Sequence, residues 1–155
     1  PLERKIRHIL IFGIGGVGCA AVMAAHHLAE GSSRSVPSFE IIAVDVNDSR
    51  LALAKELGAT HVINSRQETT QTAIMRITNN KGVDAAVDCT GILPIINEMI
   101  ELLGPGGVAV TVGGPPPGTK ASVDVFDLLI KCKTYSGCHQ GNAYSNTVRW
   151  QWLDR

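Results

Sequence analysis

Apolar residues along this chain fall into two alternating kinds of run. The blocks HILIF (His8–Phe12), EIIAVDV (Glu40–Val46) and VDAAVDC (Val83–Cys89) are dense and short, and the second is rich in β-branched residues. Such blocks are too short for helices and read as buried strands. HVIN (His61–Asn64), GVAVTV (Gly107–Val112) and Thr134–Cys138 read as three more. Between them lie segments of helical character: Gly16–Glu30, Asn47–Leu57, Thr69–Thr78, Pro94–Leu103 and a short one at Val125–Ile130. Asn47 or Asp48 suits the start of the second helix, Gly58 its stop, and Pro94 a first turn where its missing N–H costs little. EGSSRSVPS (Glu30–Ser38) and GGPPPG (Gly113–Gly118) are loops marked by glycine and proline. Nearly all-apolar strands alternating with helices predict a parallel sheet covered on both faces. Right-handed crossovers then give an α/β, doubly wound, parallel six-stranded sheet.

Composition narrows the function classes. The 155 residues are 45% apolar and 18% charged, with 14 Lys+Arg against 14 Asp+Glu, which suits one domain with a sizeable core. That balance provides no electrostatic footprint for nucleic acid or an anionic membrane surface. No apolar run approaches the roughly 20 residues that span a bilayer. The opening PLERKIRH is charged and does not read as a signal peptide, and the start at Pro1 suits a fragment or a processed chain. Four cysteines without a CxxC pair predict reduced structural thiols in a cytoplasmic protein.

The candidate chemistry lies in FGIGGVG (Phe12–Gly18), where Gly13, Gly15 and Gly18 form GxGxxG and Gly16 adds a fourth glycine. The motif alone is weak, and a turn that merely needs positive φ would look similar. Its context strengthens it: a strand before, a helix after, and an acid at the end of the next strand. Gly13 suits the tight turn, Gly15 the approach to a pyrophosphate, and Gly18 close helix–strand packing. Free N–H groups at the helix start favour the anionic phosphates. The acid should lie about 20 residues on. Glu40, 22 after Gly18, opens its strand, whereas Asp45, 27 after, closes it. Asp45 is therefore the ribose candidate, with the extra spacing assigned to the EGSSRSVPS loop. A carboxylate there repels a 2′-phosphate and predicts NAD over NADP; Arg50 is placed to reach the same ribose.

With these motifs the chain resembles the zinc-type alcohol dehydrogenases of the medium-chain dehydrogenase/reductase superfamily. The resemblance rests on FGIGGVG, IIAVDVNDSRLALAKELGATHVIN, GVDAAVDCTG and GPGGVAVTVGGPPPG, of which AKELGATHVIN is the most specific. It runs from about His8 to about Gln140 and covers only the coenzyme-binding half of such an enzyme, a Rossmann fold. By this resemblance Gly13, Gly15, Gly16, Val17 and Gly18 hold the pyrophosphate, Asp45 the adenosine ribose, and Arg50 supports it. Val46, Cys89 and Thr90 line the adenine pocket and its approach. Gly113, Gly114, Cys138 and Gln140 match positions at the nicotinamide end, and Ala121–Leu129 matches the dimer-forming segment. The implied partners are NAD(H), a catalytic domain not contained in this sequence, and a second copy of the chain.

The departures limit the implied activity. In the family the catalytic zinc ligands precede the first strand of this domain; here seven residues precede His8 and none is Cys. The four-cysteine structural zinc loop is missing too, so no metal ligand and no catalytic residue is assigned. The tail 141–155, with Trp150 and Trp152, does not resemble the family's continuation. Cys132, Cys138 and His139 form C-x5-C-H, which fits no common zinc spacing. Asp84 and Asp88 flank one strand roughly 13 Å apart, too far for paired acid–base work. His26 and His27 suit a helix end better than a catalytic pair. The expected function is thus an NAD(H)-binding domain, inactive alone. The alternatives are a non-catalytic NAD-binding or dimerisation module and an adenosylmethionine-dependent methyltransferase. GGPPPG and AKELGATHVIN argue against the methyltransferase.

Overall fold

The computed structural model describes residues 6–31 and 39–139. Most of the Glu30–Ser38 loop, Gln140 and the tail with both tryptophans lie outside the described residues. Six strands and five helices alternate: β1 His8–Phe12, α1 Gly16–Gly31, β2 Glu40–Asp45, α2 Asp48–Glu56, β3 His61–Asn64, α3 Thr70–Ile77, β4 Val83–Asp88, α4 Leu93–Glu101, β5 Leu103–Thr111, α5 Val125–Lys131 and β6 Thr134–Gly137. The strands form one sheet in the order β3-β2-β1-β4-β5-β6, with every pair parallel. The doubly wound parallel sheet read from the hydrophobic pattern is the fold observed.

Register explains the two cores. Leu10, Phe12, Ile42, Val44 and Ile63 face one side and pack against Ala73 and Ile74 of α3 and Ile96, Met99 and Ile100 of α4. The alternate residues Ile11, Ile41 and Ala43 face the other side and meet Val22 and Ala25 of α1 and Leu51 and Ala54 of α2. This alternation is why each strand is apolar on both faces. The chain leaves β1 toward α1 on one face and β4 toward α4 on the other. A crevice therefore opens beyond the carboxyl ends of these adjacent strands.

Local chemistry settles the element ends. Asn47, not Asp48, caps α2: its side chain accepts from the Ser49 and Arg50 amides at 2.9 and 3.4 Å. Strand β5 begins at Leu103, four residues earlier than GVAVTV implies. Val83 pairs with Leu103 and Ala85 with Val108, so Gly104–Gly107 bulge out where β4 has the single residue Asp84. At this close approach a Cβ on Gly82 would lie 2.6 Å from the Gly104 nitrogen. Helix α5 buries none of its residues, and β6 is exposed at the sheet edge.

Candidate functional site

The glycine turn sits at the crevice. Gly13 has φ +82° and donates its N–H to the Val44 carbonyl at 2.9 Å, tying the end of β1 to β2. A Cβ on Gly18 would lie 2.0 Å from the Gly13 carbonyl oxygen, so this glycine lets α1 pack down on the turn. Gly15 and Gly16 differ: an added Cβ there would meet nothing within 4 Å. The fold itself leaves the space above them open. With α1 starting at Gly16, its first amides lack intrahelical acceptors and make the helix start attractive to an anion.

Asp45 closes β2 beside this turn and is only 6% exposed. Its Oδ2 accepts from the Ile14 amide at 2.7 Å, and its Oδ1 accepts from the Val46 and Asn47 amides at 2.8 and 3.0 Å. The carboxylate thus braces the glycine turn from the second strand. Three amides leave one of its roughly four acceptor positions for a ligand. Arg50 Nη1 lies 3.8 Å from Asp45 Oδ2.

A cavity of about 330 Å³ opens here, and Gly13, Gly15, Asp45, Val46, Arg50, Cys89 and Thr90 all line it. Seven residues chosen from separated motifs are brought to one surface. Gly16, Val17 and Gly18 form the start of α1 beside it. Gly113 and Gly114 are not in its wall. Gly113 donates to the Asp88 carbonyl at 2.9 Å, and its Cβ would lie 2.2 Å from the Gly91 nitrogen, so it seats the loop after β5 against the loop after β4. Cys138 donates its amide to the Thr111 carbonyl at 3.0 Å, at the far edge of the sheet. Gln140 lies outside the described residues.

Several residues act in roles that spacing did not assign to them. Asp88 is fully buried, and its Oδ1 accepts from the Thr90 amide and hydroxyl at 2.8 and 2.6 Å. It folds the Thr90–Ile92 loop over the cavity, and the signal for it was the local D-x-T-G turn chemistry. Burial, with Asp88 adjacent, pushes the Cys89 thiol up to about 11. Ser65, Thr70 and Glu98 also line the cavity, and no linear motif connects them. Burial raises the Glu98 carboxyl, opposed by a hydrogen bond with Thr70 and assisted by Glu101.

A larger cavity of about 560 Å³ opens at the other end of the sheet, among Arg7, His8, Lys81, Asp84 and Lys131. It lies at the amino ends of the strands, remote from the glycine turn. Asp84 there accepts the Arg7 and His8 amides at 2.9 and 3.0 Å, so the two acids of β4 serve opposite ends of the strand. His26 lies against Gly58, whose Cβ would be 2.3 Å from the imidazole Cγ. The four cysteines are free.

The zinc-binding dehydrogenase family model matches residues 16–154, most of the chain. This chain belongs to that family. The matched portion is the coenzyme-binding domain of a zinc-type alcohol dehydrogenase-like protein. A geraniol dehydrogenase from Castellaniella defragrans is 33% identical over 135 residues, covering 87% of this chain and 34% of that protein. An alcohol dehydrogenase zinc-binding domain protein from Burkholderia ambifaria superposes with TM-score 0.78 at 43% identity, covering 90% of this chain and 35% of that one. Benzyl alcohol dehydrogenase from Acinetobacter calcoaceticus gives TM-score 0.79 at 38% identity, covering 93% and 37%. The chain therefore spans about a third of the length of these zinc-binding dehydrogenase relatives. A more distant fold relative from Sinorhizobium meliloti 1021, 23% identical with TM-score 0.73, was solved bound to NADP; it covers 88% of this chain and 38% of its own. Among the described residues no group of three or more His, Cys, Asp or Glu side chains can hold a metal ion. No helix among the described residues is long and apolar enough to cross a membrane.

Proposed function

We propose that this chain is the NAD(H)-binding domain of a zinc-type alcohol dehydrogenase. In the whole enzyme it holds the coenzyme while alcohol oxidation depends on a catalytic domain outside this sequence. The observation that carries this reading is the open space above Gly15 and Gly16 at a helix start, beside a buried acid whose carboxylate keeps one acceptor position. A fold that needs no glycine at those two positions, yet has it, leaves a backbone surface that a pyrophosphate can approach. Gly15, Gly16, Val17 and Gly18 bind the phosphates through main-chain amides, Gly13 shapes the turn, and Asp45 accepts from the adenosine ribose. Arg50 flanks that ribose; Val46, Cys89 and Thr90 wall the pocket. Gly113, Gly114, Cys138 and Gln140 belong to the nicotinamide end. When bound, the nicotinamide supplies the hydride acceptor, and the chain supplies binding and orientation.

Two further points belong to the same reading. The exposed apolar side chains of α5 suit a homodimer through Ala121–Leu129. The four free thiols agree with a reducing, cytoplasmic compartment.

Calorimetric titration with NAD and with NADP tests the proposal. Binding of NAD with little response to NADP is the expected result, because the buried Asp45 carboxylate opposes a 2′-phosphate. A preference for NADP would mean that Arg50 controls the ribose site and would overturn the NAD assignment. Failure of a folded chain to bind either would make the turn purely structural.

A further inference from the structure

Part of the cavity lining outside the glycine turn has a chemistry of its own. Ser65 follows β3, Thr70 opens α3 and Glu98 lies on α4. These elements flank the α3–α4 face of the sheet, whereas the glycine turn leads into α1 on the other face. Thr70 is only 4% exposed, Glu98 is partly buried, and both line the cavity. Val46, Ile92 and Ile95 line the same cavity. The cavity thus combines apolar lining with a second carboxyl group besides Asp45.

We propose that Glu98 is the residue through which this cavity selects a 6-amino purine over a 6-oxo purine. The inference rests on the coenzyme reading of the same cavity and goes one step further, to the identity of the base. A flat base suits the apolar part of the lining, and adenine presents an N–H donor at its 6-position where hypoxanthine presents a carbonyl acceptor. A carboxylate offers roughly four acceptor positions. The amino group of adenine fills one, whereas a carbonyl oxygen opposes it acceptor to acceptor. A site built to hydrogen-bond a donor rejects the analogue lacking it, because its own polar group is then left unpaired. The raised Glu98 carboxyl shows that burial already penalises its charge, which makes a donor from the ligand more valuable to it.

The test is calorimetric titration of the chain with NAD and with nicotinamide hypoxanthine dinucleotide, repeated on Glu98→Gln. The intact chain should prefer NAD by about tenfold, the scale of one hydrogen bond and its unpaired alternative. A glutamine amide both donates and accepts, so in Glu98→Gln the preference should fall to within about threefold while NAD still binds. Equal binding of both dinucleotides by the intact chain would overturn the assignment of Glu98 and leave the coenzyme reading standing. A preference that survives intact in Glu98→Gln would do the same. Failure of the intact folded chain to bind NAD at all would overturn the coenzyme reading itself. The comparison of the two dinucleotides on the unaltered chain decides the matter even if Glu98→Gln does not fold.

Discussion

A methyl group added at Gly18 would sit 2.0 Å from the Gly13 carbonyl oxygen, while one added at Gly15 would meet no protein atom within 4 Å. The two glycines answer to different constraints, one from packing and one from a ligand. Gly18→Ala should cost about 1–3 kcal/mol, the usual penalty of overpacking, and lower the melting temperature. Gly15→Ala should leave the melt within about 0.5 kcal/mol of the parent yet weaken dinucleotide binding at least about tenfold. Melting curves and titrations on both variants check this. Normal coenzyme binding by Gly15→Ala would sink the idea that backbone approaches phosphate there. At this scale the motif letters were legible, but the division of labour was not. Spacing alone also identified Asp45 without showing that three backbone amides already occupy it. Those amides belong to two loops that meet only when β1 and β2 pair.

Helix α5 shows what holds an element that buries nothing. Its start is capped by Asp124, which accepts from the Phe126 and Asp127 amides at 2.9 and 3.0 Å. Its end is tethered by Lys133, whose side chain is fully buried. Lys133 Nζ donates to the Ile100 and Glu101 carbonyls at the end of α4, at 3.1 and 3.2 Å, and pairs with Asp127 at 2.5 Å. Replacing Lys133 with Met leaves two carbonyls and part of a carboxylate without their donor. The expected loss is about 1–3 kcal/mol. It should be concentrated in α5: hydrogen exchange should accelerate there and stay unchanged in β1. Uniform acceleration across both would show that Lys133 supports the whole fold instead. Hydrogen bonds from Lys131 and then Lys133 hold the Asp127 carboxyl below its ordinary range. Its contribution is therefore complete above the ordinary carboxylate range and fades as the pH falls through the lowered value. The hydrophobic pattern shows α5 as a short helix, but Lys133 carries no sequence signal. A buried lysine is recognised by the carbonyls around it, and these come from residues 32 and 33 positions earlier.

Among the described residues, the most exposed large apolar side chains cluster on α5. Val125, Phe126, Leu129 and Ile130 are 65–72% exposed, beside the open edge strand β6. Self-association through this face is the expected outcome of sedimentation at micromolar concentration. The double variant Phe126→Asp, Leu129→Asp should shift the chain to monomer while leaving the NAD titration unchanged, since neither residue lines the cavity. A native chain that stays monomeric at about 100 μM, a concentration at which contacts of −6 kcal/mol or better persist, would rule out this interface.

The sequence by itself determined the element order, the parallel doubly wound sheet and the placement of the glycine turn before a helix. These depend on period, run length and local turn chemistry, which act between near neighbours. Tertiary structure alone decided which residues from separate elements line the cavity, how Gly104–Gly107 bulge, where Lys133 is anchored and which glycines are required by packing. Each of those depends on atoms brought together across strands or between helices, after register and close packing have set their distances. Linear spacing holds no measure of such distances.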